Sequence, residues 1–329
     1  MIYDLCFAWN WEYDADFVQL LDEACQKRQL TLLQVTPGNI EAVKQALAAG
    51  EVQYRAFYDR ASDADPAFLP LEQWASENKT IYINPLRSTQ QASNKTYFHY
   101  HFIEAGIQTP YTIVLPPYNE RPVLEPADLS PLGPCFNIKP AHGGGGEGVI
   151  LEATAWEHVC AARQQFPEDQ YLLQAFIDPV WFGGREAWYR VLCCDRHFYP
   201  CWWDTHTHIY APVTEEEEKL YALHPLRDIS ALMDAICDIE VFSTEIARTA
   251  EGLFVVVDYI NDPIDLRLQS KTPDGIPDHI VKDIAERVAA FVERKRGERQ
   301  ALELPPTNSE NGLPSNDVQC PPLANPAAG

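Results

Sequence analysis

Phe136-Asn137-Ile138-Lys139-Pro140-Ala141-His142-Gly143-Gly144-Gly145-Gly146-Glu147-Gly148-Val149 is the stretch on which the reading of this chain turns. A strand ends in a lysine, and four consecutive glycines then free the backbone to fold its N–H groups over an anion. That arrangement suits a polyphosphate. It is not the G-x-x-x-x-G-K-[ST] loop, and it does not open a helix as a dinucleotide-binding fingerprint would. A flexible turn between two strands would carry the same glycines, so the run alone leaves both readings open.

Beyond the loop the pattern predicts a strand (GVILEA), a helix over about 154–165, a strand (YLLQAFI) and a hairpin, WYRVLCC-DRH-FYPCWW. TEEEEKL (214–220) predicts a helix start, where acidic residues favour the positive end of the dipole. LRDISALMDAICDIEVFSTEIA reads as helical for much of its length, GLFVVVDYI as a β-branched strand and DHIVKDIAERVAAFVERKRG as an amphipathic helix. Antiparallel strands with interspersed helices make this an α+β unit. Toward the N-terminus the order differs. IYDLCFA, LTLLQVT, VQYRAFYD and TIYINP are strands separated by single helices, with Asn39 a candidate N-cap, and this predicts a small α/β domain with a parallel sheet.

Read in order, these segments resemble the ATP-grasp superfamily, which includes D-alanine:D-alanine ligase, glutathione synthetase and biotin carboxylase. In that family a strand lysine and a mobile Gly-rich hairpin cover the ATP phosphates, and Lys139 with Gly143, Gly144, Gly145, Gly146 and Gly148 matches the element. Upstream, Ser93-Asn94-Lys95-Thr96-Tyr97-Phe98 followed by Ala105-Gly106-Ile107-Gln108-Thr109-Pro110 is similar to the family's lysine-bearing helix and strand entry, which makes Lys95 the first phosphate lysine. Downstream, Gln174, Ala175, Phe176 and Ile177 resemble the strand and hinge that hold adenine, with backbone groups of Ala175 and Ile177 pairing with the base edge. Arg190 corresponds to the family's phosphate- or substrate-facing arginine, although Trp188 stands where many members carry an acid.

The resemblance implies Mg²⁺ on acids of adjacent late strands, since this ion takes hard oxygen ligands and shares them with substrate phosphates. Glu245, Asp258 and Asn261 are the implied ligands, with Asp262 and Asp265 as alternatives. Most members read Glu-x-Asn here; this chain reads Asp258-x-x-Asn261, with a shorter acid and one extra residue. Arg267 is implied to face the transferred phosphoryl group or a substrate carboxylate, or else to pair with Asp265. Asp204, His206 and His208 fall at period two, and on a strand would share a face with transition-metal chemistry. The Trp9-Asn10-Trp11-Glu12-Tyr13 loop at a strand end is a candidate substrate surface.

The expected organisation is a pre-ATP-grasp α/β domain over 1–85, an ATP-grasp domain over 86–296, whose two α+β subdomains clasp ATP, and a disordered tail over 297–329 rich in Pro, Asn and small residues. A formal charge of -23 opposes nucleic acid and anionic membrane surfaces as partners. No stretch approaches the roughly 20 apolar residues of a membrane helix, and the N-terminus lacks a basic region ahead of a hydrophobic one, so a cytoplasmic protein is expected. Nine scattered cysteines, none in a C-x-x-C pair, read as reduced thiols. The implied activity is ATP- and Mg²⁺-dependent ligation, in which a small-molecule carboxylate becomes an acylphosphate and an amine displaces phosphate; a homodimer is compatible with it. A non-catalytic nucleotide-binding protein and a small-molecule kinase are the rival classes.

Overall fold

The N-terminal residues alternate β1 (Ile2–Trp9), α1 (Ala15–Lys27), β2 (Leu32–Val35), α2 (Ile40–Ala48), β3 (Gln53–Arg60), α3 (Leu69–Glu77) and β4 (Ile81–Ile83) in a computed structural model that describes residues 1–303. The strands form one parallel sheet in the order β2-β1-β3-β4, as the alternation predicts. Both faces are covered. Leu5 and Phe7 of β1 join the cluster containing Phe17 and Leu21 of α1, whereas Cys6 and Ala8 point the other way, toward Leu47 and Leu71. Two buried faces explain why β1 is a nearly continuous apolar run. Asn39 does not cap α2 through its side chain; its amide is used within the preceding turn, by Thr36 N–H and the Gln34 carbonyl.

Two short helices come next, α4 (Leu86–Ala92) and α5 (Lys95–Glu104). β5 (Thr112–Leu115), β6 (Phe136–Pro140), β7 (Ile150–Ala153) and β8 (Tyr171–Ala175) then build an antiparallel sheet in the order β5-β8-β6-β7, backed by α6 (Trp156–Ala162). A two-stranded ribbon, β9 (Trp181–Phe182) and β10 (Arg185–Glu186), leads into β11 (Trp188–Cys194), β12 (His197–Trp203) and β13 (Tyr210–Pro212). After α7 (Glu215–Leu220) and α8 (Pro225–Cys237), β14 (Val241–Arg248) and β15 (Phe254–Asn261) complete a five-stranded antiparallel sheet in the order β13-β12-β11-β14-β15. Thr214 and Glu217 form a reciprocal capping box at the start of α7.

The structure departs from the expected long helix. The apolar segment that begins at Leu226 is helical only to Cys237; Asp238 turns left-handed at φ 52°, and β14 starts three residues later. The alternation Ser243, Glu245 against Phe242, Thr244, Ile246 has a strand period, and that overrides the helical reading.

Helix α9 (Asp278–Glu303) joins the parts. Its Ile280, Ile284 and Val288 share a core with Phe7 and Phe17 of the N-terminal domain and with Cys194, Cys201 and Trp203 of the five-stranded sheet. Each large apolar side chain buried in this way contributes roughly 1.5–3 kcal/mol. Residues 297–303, expected in the tail, continue this helix, because strong helix formers surround Gly297. The rest of the expected tail lies outside the described residues.

Candidate active site

Lys139 closes β6. Phe136 and Ile138 are buried toward α6, so the alternation turns Lys139 to the opposite face, where its Nζ donates to the carbonyl of Val257 on β15 at 2.8 Å. Lys95 opens α5, whose N-cap Asn94 accepts the Tyr97 N–H. The Lys95 backbone N–H donates to the Ala141 carbonyl at 2.8 Å, and its Nζ to the Gly143 carbonyl at 2.5 Å. The helix lysine therefore holds the root of the glycine loop. Gly143, Gly145 and Gly146 adopt φ of 107°, 62° and 78°, and nothing lies within 4 Å of a Cβ built at residues 143 to 146, so the loop tip stands clear of the protein. At Gly148 a Cβ would meet Phe166 at 2.4 Å, which restricts that position to glycine by space as well as by its φ of 69°. The His142 N–H and Nδ1 both pair with the Asp169 carboxylate at 2.8 Å and pin the loop base.

The acids lie across from these lysines. Glu245 of β14 and Asp258 of β15 are direct cross-strand partners. Asn261 is opposite Ser243, so β15 spends three residues where β14 spends two; a second register shift lies on the other side, between Glu245 and Ile246. Bulges flank Asp258 on both sides. This accounts for the extra residue in Asp258-x-x-Asn261: in a regular strand, residues three apart face opposite ways, and the bulge brings the Asn261 amide back beside Asp258. The bulged carbonyls are not left unpaired. Thr244 Oγ1 donates to the Asp258 carbonyl at 2.8 Å, and Lys139 supplies the donor for Val257.

Arg190 of β11 stands opposite Glu245, its Nη1 3.4 Å from Oε1, with Nε donating to Ser243 Oγ at 3.2 Å and the guanidinium 5.0 Å from the Trp203 ring. Trp188 Nε1 donates to Glu245 Oε2 at 3.1 Å. The Trp188 indole thus orients the acid of the neighbouring strand. Burial would raise the Asp258 carboxyl, but Lys139, Lys95, Arg190 and the Asn261 amide outweigh it and hold the group below the ordinary carboxylate range. Glu245 moves the other way, lifted by burial and by Asp258 against the pull of Arg190. Burial, with Lys139 adding to it, lowers Lys95. Three cations thus face two carboxylates in a chain whose overall charge is strongly negative. The donor set of two carboxylates and an amide fits a hard divalent cation that completes its shell with phosphate oxygens and water.

Other expected site residues fare differently. Gln174 lies on the same face as Lys139 but is 3% exposed, and its amide donates to the Tyr259 hydroxyl at 2.9 Å rather than facing an open cleft. The Ala175 N–H is committed to the Tyr111 carbonyl at 2.9 Å, so it is not a free donor for a base edge. Ile177 packs on Ala247, Val255 and Val257 beside the acid strands, and Phe176 is 44% exposed. Arg267 is paired with Asp265 and Asp274, at 2.6 and 2.8 Å, with Trp11 and Tyr13 about 6 Å from its guanidinium. Asp204 caps a turn by accepting the His206 and Thr207 N–H groups, and among the described residues no group of three or more His, Cys, Asp and Glu could hold a metal, which removes the transition-metal reading. Among the described residues no helix is long and apolar enough to cross a membrane. Residue type and spacing do not point to Ser243, which accepts from Arg190, or to Tyr259, which accepts from Gln174.

No protein-family model and no curated protein sequence matches the chain. Solved structures do. An ATP-grasp RimK domain protein from Sphaerobacter thermophilus is similar with a TM-score of 0.59 and 19% identity, covering 87% of this chain and 98% of its own. D-alanine–D-alanine ligase from Bacillus anthracis, complexed with ATP, gives 0.59 at 12% identity over 90% of this chain and all of its own. The ATP-grasp ligase PsnB, complexed with a minimal precursor, Mg and ADP, gives 0.58 at 12% identity over 88% and 98%. With the similarity covering 87 to 90% of this chain, the chain has the ATP-grasp fold.

Proposed function

We propose that this protein is an ATP- and Mg²⁺-dependent ligase that activates a carboxylate as an acylphosphate for attack by an amine or a similar nucleophile. One observation carries the reading: Glu245 and Asp258 are paired in register on neighbouring strands and face Lys139 and Lys95 beneath a glycine loop. Separate lysines, a flexible anion-binding loop and two acids have a common use in gathering a triphosphate with its metal. The ATP, ADP and Mg present in the D-alanine–D-alanine ligase and PsnB structures support the same assignment.

In this reading Lys95 and Lys139 exchange their present carbonyl partners for phosphate oxygens, and the amides of residues 143 to 148 close over them. Glu245, Asp258 and Asn261 hold the cation, which when bound neutralises charge on the transferred phosphoryl group. Trp188 and Arg190 orient Glu245, and the Arg190 guanidinium can also attract a substrate anion. The base hinge narrows to Phe176 and Ile177, since Gln174 and the Ala175 N–H are engaged elsewhere. Closure of the glycine loop excludes the water that would hydrolyse an acylphosphate.

The test is a panel of carboxylates and amines incubated with enzyme, ATP and Mg²⁺ while ADP and phosphate are measured by separate coupled assays. Equal release of both, dependent on carboxylate and amine together, is expected. ADP without phosphate would make the protein a kinase, and release of neither across a broad panel would favour a binding role.

A further inference from the structure

Tyr259 directly succeeds Asp258 in β15 but points to the other face of the strand, into the core that contains Phe102, Ala141 and Leu172. Its hydroxyl lies 2.7 Å from His99 Nδ1 and accepts from Gln174 Nε2 at 2.9 Å. His99, Gln174 and Tyr259 are each 3% exposed. Thr112 Oγ1 is 3.4 Å from the Gln174 amide, and Thr109 Oγ1 is 3.5 Å from His99 Nδ1, so the chain of polar groups is enclosed by further partners and not by solvent. Burial favours the neutral imidazole. With the amide donating to the phenol oxygen, the phenol hydrogen is left for Nδ1, and the direction runs from Gln174 through Tyr259 to His99.

The three ends of this chain belong to three different parts of the nucleotide site. Gln174 precedes the hinge residues Phe176 and Ile177, His99 lies one helical turn after Lys95 on α5, and Tyr259 adjoins Asp258. Moving any one element relative to the others would leave a buried donor or acceptor unpaired, which is costly in a dry interior. None of the three side chains is needed to touch ligand for this to matter.

We propose that Tyr259 is a positioning residue, whose hydroxyl locks the base hinge, the Lys95 helix and the Asp258 strand into the one relative arrangement that accepts a metal–nucleotide complex. The proposal rests on the nucleotide reading of this site. Its test uses the full chain and the non-hydrolysable analogue Mg-AMPPNP as probe, with Tyr259→Phe, Gln174→Met and the double variant, at a temperature well below each unfolding midpoint. Calorimetric affinity should fall about tenfold in each single variant, a loss of about 1.4 kcal/mol. The double variant should be no worse than the weaker single one by more than about twofold, because both remove the same link. Amide exchange at Phe176 and Ile177 should accelerate in all three.

A Tyr259→Phe protein that melts earlier but binds Mg-AMPPNP within about twofold of the wild type would reduce Tyr259 to a packing role and overturn the proposal. Additive losses in the double variant would overturn it too, since independent effects are not one lock. Should Tyr259→Phe fail to fold, Gln174→Met breaks the same link from the other end, and unchanged affinity there refutes the idea equally. Failure of the wild type itself to bind Mg-AMPPNP sinks the nucleotide reading, an outcome distinct from binding that is insensitive to these variants.

Discussion

Replacing Glu245 by Gln removes one charge while keeping shape, and the surrounding geometry sets the size of the effect. Arg190 Nη1 is 3.4 Å from Oε1, so at an effective dielectric of about 20 the attraction lost is about 5 kcal/mol. Asp258 is the direct cross-strand partner. Such pairs sit about 5 Å apart, and the repulsion relieved at that separation is about 3 kcal/mol. The second offsets part of the first, leaving a cost of about 2 kcal/mol, or a fall in Tm of about 4–8 °C at the usual 2–4 °C per kcal/mol. The glutamine oxygen can still accept from Trp188. Metal affinity behaves differently, since one of two carboxylate ligands is gone. Mg²⁺ titrations at fixed nucleotide, read by calorimetry, should show affinity reduced by at least about tenfold, the equivalent of about 1.4 kcal/mol. An unchanged Mg²⁺ dependence would remove Glu245 from the metal site. Loss of the full ~3–5 kcal/mol expected when a buried ion pair is broken would make the Arg190–Glu245 contact primarily structural.

Arg60 and Asp14 are 2% and 1% exposed and joined at 2.7 Å, with Arg60 also donating to the Ile264 carbonyl just beyond β15; Asp14→Asn is expected to destabilise the protein by about 3–5 kcal/mol in urea unfolding, and a change within experimental error would make this junction dispensable. Arg267→Ala should leave Mg-AMPPNP affinity within about twofold of the wild type by calorimetry, because Asp265 and Asp274 already occupy the guanidinium. Asp262 accepts from Asn84 Nδ2, and burial pushes its carboxyl up to about 7 from an ordinary 3.8. Its folded form binds the proton more tightly, so this contribution to stability is complete below pH about 4 and is lost as pH rises through about 7. Asp262→Asn should therefore be more stable than the wild type at pH about 7.5 and close to it at pH about 4, as urea midpoints at the two pH values would reveal.

The features legible in the sequence are local and ordered along the chain. Lys139 before four glycines, Lys95 at a helix start, and acids on late apolar strands each follow from residue type and nearest neighbours. The parallel N-terminal sheet follows from strands alternating with helices. The features that stay hidden depend on partners distant in sequence. Asp258-x-x-Asn261 looks like a defect of spacing because the register of β15 is set by β14, and only that pairing reveals the bulges that bring Asp258 and Asn261 together. Gln174 looks available for a base because nothing in its own strand announces the Tyr259 hydroxyl that engages it. Arg267 is an exception, held by Asp265 and Asp274 only two and seven residues away, the first of which is a partner the sequence already offers. β14 is obscured by the helical segment that runs directly into it.

The claim that everything else depends on is convergence: Lys95, Lys139 and Asp258, from a helix and two sheets, must serve one triphosphate. Calorimetric titration of Mg-AMPPNP into the wild type and into Lys95→Ala, Lys139→Ala and Asp258→Asn measures it directly. The account predicts one site per chain in the wild type and at least about tenfold weaker binding in every variant. Wild-type affinity in all three, or no binding to the wild type at all, would contradict it.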